Sequence, residues 1–141
     1  MQTHYLDDLA IGQTAAKRRT VTAADLDAFA AVTGDDNPLH LDAAYAAKTP
    51  FGERIAHGML GAGYISAVLG TQLPGPGAIY VSQTLSFRRP VRIGDEVTAE
   101  VKVAAIDERR GRVTHETRCS VAGKAVVEGE AVVIAPRRDP A

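Results

Sequence analysis

Ile55-Ala-His-Gly-Met-Leu-Gly-Ala-Gly-Tyr-Ile-Ser-Ala-Val-Leu-Gly-Thr71 is almost wholly apolar and contains no Asp, Glu, Lys or Arg. A helix of that composition has no wet face, so it must be covered on nearly every side and run through the core. Gly61 and Gly63 inside it each cost about 1 kcal/mol relative to Ala. That penalty makes sense where a sheet or a ligand comes close to the helix backbone. The stretch therefore predicts a wrapped central helix.

What wraps it lies mostly downstream. After Pro74-Gly-Pro-Gly77, strand-like runs occupy 78–88, 96–106, 112–121 and 124–134, with tight turns at Gly111 and Ala122-Gly123. An earlier run over 13–21 brings the sheet to five strands. Upstream the chain reads as helical. Thr22-Ala-Ala-Asp25 resembles a capping box with Asp in place of Glu, and Leu26, Phe29, Ala30 and Thr33 follow at helical spacing until Gly34 stops the helix. Asp42 caps a short helix over 43–48, which Pro50 limits, and 51–54 reads as loop. Helices first and strands later predict an α+β domain, with helices gathered on one face of an antiparallel sheet.

A length of 141 residues fits one domain over 1–141. With 16 Lys+Arg against 17 Asp+Glu the formal charge is −1, so no net field favours nucleic acid or an anionic membrane. A small-molecule partner is expected. The opening residues carry no basic region followed by an apolar stretch, and no apolar run reaches the ~20 residues that cross a bilayer. A cytoplasmic location is expected. Cys119 is the single cysteine, which excludes an internal disulfide; in its strand-like setting a small buried hydrophobe is the first expectation.

Between the first two helices lies Gly34-Asp-Asp-Asn-Pro-Leu-His40. It sets a carboxylate, Asp35, five residues from an imidazole, His40, in a loop held by Asn37-Pro38. Such a loop can turn both side chains toward one point, where an acid and a base share a water molecule. Asp35 alone would more often cap a turn, and His40 alone would more often be an ordinary surface histidine; their spacing is what favours chemistry. His4 and His115 have no evident chemical partner.

Gly34-Asp-Asp-Asn-Pro-Leu-His-Leu-Asp42, then Ile55-Ala-His-Gly-Met-Leu60, then Ser82-Gln-Thr-Leu-Ser-Phe-Arg-Arg-Pro-Val-Arg-Ile-Gly-Asp-Glu-Val97 closely resembles the MaoC-like dehydratase family, and within it the short (R)-specific enoyl-CoA hydratases that supply monomers for polyhydroxyalkanoate synthesis. The resemblance runs from about Tyr5 to about Ile134. It implies a hot-dog fold, an antiparallel sheet around a long central helix, and a homodimer with active sites at or near the subunit interface. It also implies reversible addition of water to a trans-2-enoyl-CoA, giving an (R)-3-hydroxyacyl-CoA.

On that resemblance Asp35 is the chief general base and His40 positions water and donates a proton, although the reverse division is chemically open. The Gly58 backbone N–H, near the start of the apolar helix, is the donor for the thioester oxygen as charge develops there. Ser66 corresponds to a serine near the reacting centre, where it holds water or substrate; an equally common fate is a bond back to a helix carbonyl. Leu69 and Val132 are candidates for limiting the acyl chain. His57 supports the junction of loop and helix, and Asn37 fixes the loop. Arg88, Arg89 and Arg92, or Arg109, Arg110 and Arg112, are candidates for coenzyme A phosphates, with a solvated face the commoner explanation. No nucleotide-binding glycine motif and no convincing metal set is present, so neither a metal nor a redox cofactor is expected, and coenzyme A enters as part of the substrate. A thioester hydrolase and a non-catalytic acyl-thioester-binding subunit are the competing readings.

Overall fold

In the computed structural model, which describes residues 1–139, the helices are α1 (Ala23–Thr33), α2 (Pro38–Leu41), α3 (Ala43–Ala47) and α4 (Gly58–Thr71). The strands are β1 (Thr14–Thr20), β2 (Ile79–Gln83), β3 (Ser86–Phe87), β4 (Glu96–Asp107), β5 (Arg112–Val121) and β6 (Lys124–Ile134). They form one antiparallel sheet in the order β1-β4-β5-β6-β2, with β3 also paired to β6. Period-two alternation explains which face is inside. Val97, Ala99, Val101 and Val103 on β4 are buried, as are Val113, Thr117 and Cys119 on β5 and Ala131 and Val133 on β6. Ile65, Val68 and Leu69 of α4 pack into the same core, with Leu26 of α1 beside them. Sealing Leu26 from water contributes about 2 kcal/mol to holding α1 over the sheet.

Two departures from the sequence reading matter for the site. The central helix begins at Gly58, not at Ile55. Ile55 bridges Arg92, and the Ala56 N–H donates to the Val91 carbonyl at 2.7 Å, so 55–57 is extended and Gly58 becomes the first helical residue. Part of the expected 34–40 loop is also helical. Asn37 accepts from the Leu39 N–H at 3.1 Å and Pro38 occupies the first helical position, where its missing N–H costs nothing.

The run 78–88 splits into β2 and β3 because of Gly129. The Thr84 carbonyl lies where a Cβ at Gly129 would stand, only 1.8 Å away. The Thr84 N–H and hydroxyl meanwhile bond to the Glu130 backbone. The close crossing interrupts the ladder at Thr84 and Leu85. Wrapping of α4 is likewise incomplete, since Met59 is 55% exposed. Gly61 fits the predicted close sheet contact, because a Cβ there would come 3.2 Å from Val127. Nothing lies within 4 Å of one at Gly63, which faces a cavity instead.

Candidate active site

The capping box predicted at Thr22 is present. Its side chain accepts from the Asp25 N–H, Asp25 returns a bond to the Thr22 N–H, and Gly34 ends α1 in the left-handed conformation. That stop delivers Asp35 to an exposed position where its backbone N–H donates to Thr33 Oγ1 at 3.2 Å. Beyond it, α2 presents His40, half-buried. Arg54 locks this arrangement: its Nε donates to the His40 carbonyl at 2.6 Å and its Nη2 to Asp27 of α1 at 2.9 Å. Sequence reasoning left Arg54 as plain loop, since nothing in the chain order says that a guanidinium ties α1 to α2.

His40 Nδ1 lies 2.7 Å from the Ile55 carbonyl, which can only accept, so Nδ1 carries a proton. Nε2 is therefore the nitrogen that gains and loses one. His57 Nε2 donates in the same way to the Asp35 carbonyl at 2.9 Å. The His57 ring stacks on His40, centroids 3.9 Å apart, and packs against Phe29 at 4.6 Å. The residue given a junction role thus touches both members of the Asp/His pair. One donor atom from each of Asp35, His40 and His57 falls within 4.8 Å of the others.

Asp35, His40, Gly58 and Ser66 border one cavity of about 700 Å³ between α1, α4 and β2. Its wall also includes Phe29, His57, Leu85 and the β2 residues Tyr80 to Gln83. Those β2 residues were not identified from sequence, because only the folded register brings an edge strand beside a loop more than 40 residues earlier. Gly58 heads α4, and its N–H makes no hydrogen bond among the described residues, so the helix dipole and an open donor coincide. A Cβ at Gly58 would meet the Phe87 ring at 2.7 Å. Ser66 is half-buried, and its hydroxyl makes no bond to a helix carbonyl among the described residues, unlike those of Thr33 and Thr71.

Leu69 and Val132 do not line this cavity. Leu69 is in the core at 2% exposure, while Val132 alternates with the buried Ala131 and Val133 and so takes the other face of the sheet. Arg88 pairs with Glu128 at 3.4 Å and Arg92 with Glu53 at 3.0 Å, while Arg89 donates to the Ala125 carbonyl at 3.0 Å. Cys119 is fully buried, and burial pushes its thiol up to about 12, as suits an inert packing residue.

A sheet curled around one helix, with a largely apolar pocket carrying a few polar groups at the helix N-terminus, is the hot-dog arrangement, and it defines this chain as a hot-dog protein. The MaoC like domain matches residues 9–125, and the chain belongs to that family. It is 54% identical over 135 residues to the (R)-specific enoyl-CoA hydratase of Rhodospirillum rubrum, covering 96% of this chain and 94% of that protein. It is 51% identical over 137 residues to the 3-hydroxybutyryl-CoA dehydratase of Methylorubrum extorquens, covering 97% and 87%. Its fold superposes on the unliganded R-hydratase PhaJ1 of Pseudomonas aeruginosa with a TM-score of 0.93 at 50% identity, covering 96% of this chain and 88% of the other.

Proposed function

We propose that this protein is an (R)-specific enoyl-CoA hydratase, a hydro-lyase that adds water reversibly across the double bond of a trans-2-enoyl-CoA. The observation that carries the proposal is the single cavity shared by Asp35, His40, the open Gly58 N–H and Ser66. The hydratase and the dehydratase among its relatives name the two directions of one kind of reaction.

The chemistry follows from the hydrogen bonds. Asp35, as carboxylate, takes a proton from a water molecule whose oxygen bonds to C3 of the enoyl group. The electron pair of the alkene moves onto the thioester oxygen, which the Gly58 N–H and the start of α4 stabilise. His40, protonated on both nitrogens, then gives its Nε2 proton to C2 as the enolate collapses. Its Nδ1–H stays on the Ile55 carbonyl throughout. A proton passing from Asp35 to His40 Nε2 restores the starting state, and the net change is addition of one water. One donor atom of each group lies within 4.8 Å of the other, so a single face of the alkene can meet both and the addition is syn. Ser66 holds water or the acyl group, and no metal or redox cofactor takes part.

The same proposal includes a homodimer. β2 is an edge strand of the sheet, and Ile79, Tyr80 and Val81 along it are exposed large apolar groups. Since Tyr80 to Gln83 also form the open wall of the cavity, a partner covering that edge would close the site. No helix among the described residues is long and apolar enough to cross a membrane, and a cytoplasmic location belongs to the proposal. The test is to mix purified protein with crotonyl-CoA and follow both the conjugated enoyl absorbance and free thiol. Absorbance falls without thiol release if the chain is a hydratase; thiol release would make it a hydrolase, and no change in either would leave it a binding subunit.

A further inference from the structure

We propose that Arg54 is a positioning residue for the reaction: by holding the His40 backbone it sets where the His40 ring stands, and so governs turnover without touching substrate. The effect on turnover rests on the functional reading above; the hold on His40 does not.

The helix that carries His40 has little else to fix it. α2 is a single turn, Pro38–Leu41, and none of its residues is buried. A helix that short has no stability of its own, and no buried apolar side chain anchors this one. His40 lies in its last turn, where carbonyls lack a partner within the helix. The Arg54 Nε–H supplies that bond, at 2.6 Å from the His40 carbonyl.

The next residue in sequence grips the other end of His40. The Ile55 carbonyl accepts from the ring Nδ1–H at 2.7 Å. One stretch of backbone therefore holds both the main chain and the ring of His40, and the distance between the two grips fixes the torsions of the side chain. That stretch is itself anchored from behind. Ile55 is bridged to Arg92, the Ala56 N–H donates to the Val91 carbonyl at 2.7 Å, and Arg92 Nη2 donates to the Phe51 carbonyl at 3.2 Å. Without Arg54, α2 is free to shift while the Ile55 carbonyl stays where it is. The ring is then pulled between them, and the close spacing of the pair, one donor atom of Asp35 and one of His40 within 4.8 Å, is lost.

The two bonds of the guanidinium are unequal. The Arg54 side chain is 16% exposed, so its bond to the His40 carbonyl is shielded from water and strong, as suits a charged donor. Asp27, on the other arm, is 65% exposed, and an ion pair in that setting contributes little. The hold on His40 is what matters, more than the tie to α1. Arg54 does not line the cavity that Asp35, Gly58 and Ser66 share, so its loss should change turnover and leave substrate binding alone.

Arg54→Met and Arg54→Gln separate the two arms. Met keeps the stem and has no donor. The Gln amide nitrogen stands as many bonds from the backbone as Arg54 Nε, so it can return the bond to His40 while leaving Asp27 unpaired. In the full chain, kcat for crotonyl-CoA should fall about 10–10²-fold in Arg54→Met with KM within about twofold of the wild-type value. Arg54→Gln should recover most of that loss, and Asp27→Ala should change kcat by less than about threefold. A second readout needs no turnover. The His40 Nδ1–H signal, assigned in proton–nitrogen NMR spectra by its absence in His40→Gln, should move or vanish in Arg54→Met and persist in Arg54→Gln. A role confined to fold stability would lower the melting temperature and leave that signal in place. An unmoved His40 signal in Arg54→Met, a rise in KM in place of a fall in kcat, or a loss in Asp27→Ala equal to that in Arg54→Met would overturn the proposal. Should Arg54→Met fail to fold, Arg54→Gln and Asp27→Ala decide the matter, and disappearance of the His40 signal in either would overturn it. A signal that moves in Arg54→Met when the wild-type chain does not hydrate crotonyl-CoA would uphold the hold on His40 and remove the functional reading.

Discussion

In the proposed reaction a carboxylate and an imidazole can act together only because a backbone carbonyl dictates which imidazole nitrogen is free. The Ile55 carbonyl fixes His40 Nδ1–H, and the same segment, 55–57, is extended enough to place His57 under the His40 ring. Replacing Asp35 by Asn, or His40 by Gln, is expected to lower kcat by about 10²–10⁴-fold. The melting temperature should stay unchanged, since Asp35 is exposed and His40 half-buried. Steady-state kinetics beside a thermal melt would check both, and near-normal turnover in either variant removes that residue from the mechanism. Gly58→Ala keeps the backbone N–H but drives a methyl group into the Phe87 ring, which stands 2.7 Å from that position. Either the ring or the thioester must move, so kcat should fall by about 10²-fold, the scale of a misaimed oxyanion donor.

At the scale of elements, what each run of residues becomes was largely legible, and what it lies beside was not. The capping box at Thr22, the Gly34 stop and the runs that become β4 to β6 depend on neighbours in sequence, and they form as read. The division of β2 from β3 depends on Gly129, more than 40 residues away, and the α4 start depends on the Ile55–Arg92 bridge. Neither contact leaves a local signal. The Asp35-to-His40 spacing pointed to a shared site because a short loop limits how far apart its ends can turn. The β2 wall and Arg54 come from tertiary packing, which spacing does not encode. Gly129→Ala tests the longest-range of these contacts. A methyl group 1.8 Å from the Thr84 carbonyl oxygen cannot be accommodated by side-chain rotation, because the clash is with backbone. A loss of about 1–3 kcal/mol or more is expected in urea unfolding, with the β2–β6 junction losing hydrogen-exchange protection first.

For the whole molecule, the most consequential buried group is one that the chemistry does not use. His115 sits on β5 at zero exposure, and burial pushes it down to about 4 from 6.5, with weaker opposition from the Val113 and Leu73 backbones. Its folded-state value lies below its unfolded one. Between those values the unfolded chain takes up a proton that the folded chain refuses, so stability is full above pH ~6.5 and falls as the pH drops toward ~4. The loss amounts to about 3 kcal/mol. Urea midpoints should therefore decline across that window, and His115→Leu should flatten the decline; a wild-type midpoint equal at both ends would contradict the burial effect. On the proposed function the fold as a whole would hold water between two polar side chains on one face of a planar thioester, and stereochemistry reads that directly. Hydrating crotonyl-CoA in deuterium oxide and resolving the product by NMR should give an (R)-3-hydroxyl with a single deuterium at C2 added to the same face. Anti addition or an (S) product would contradict the account.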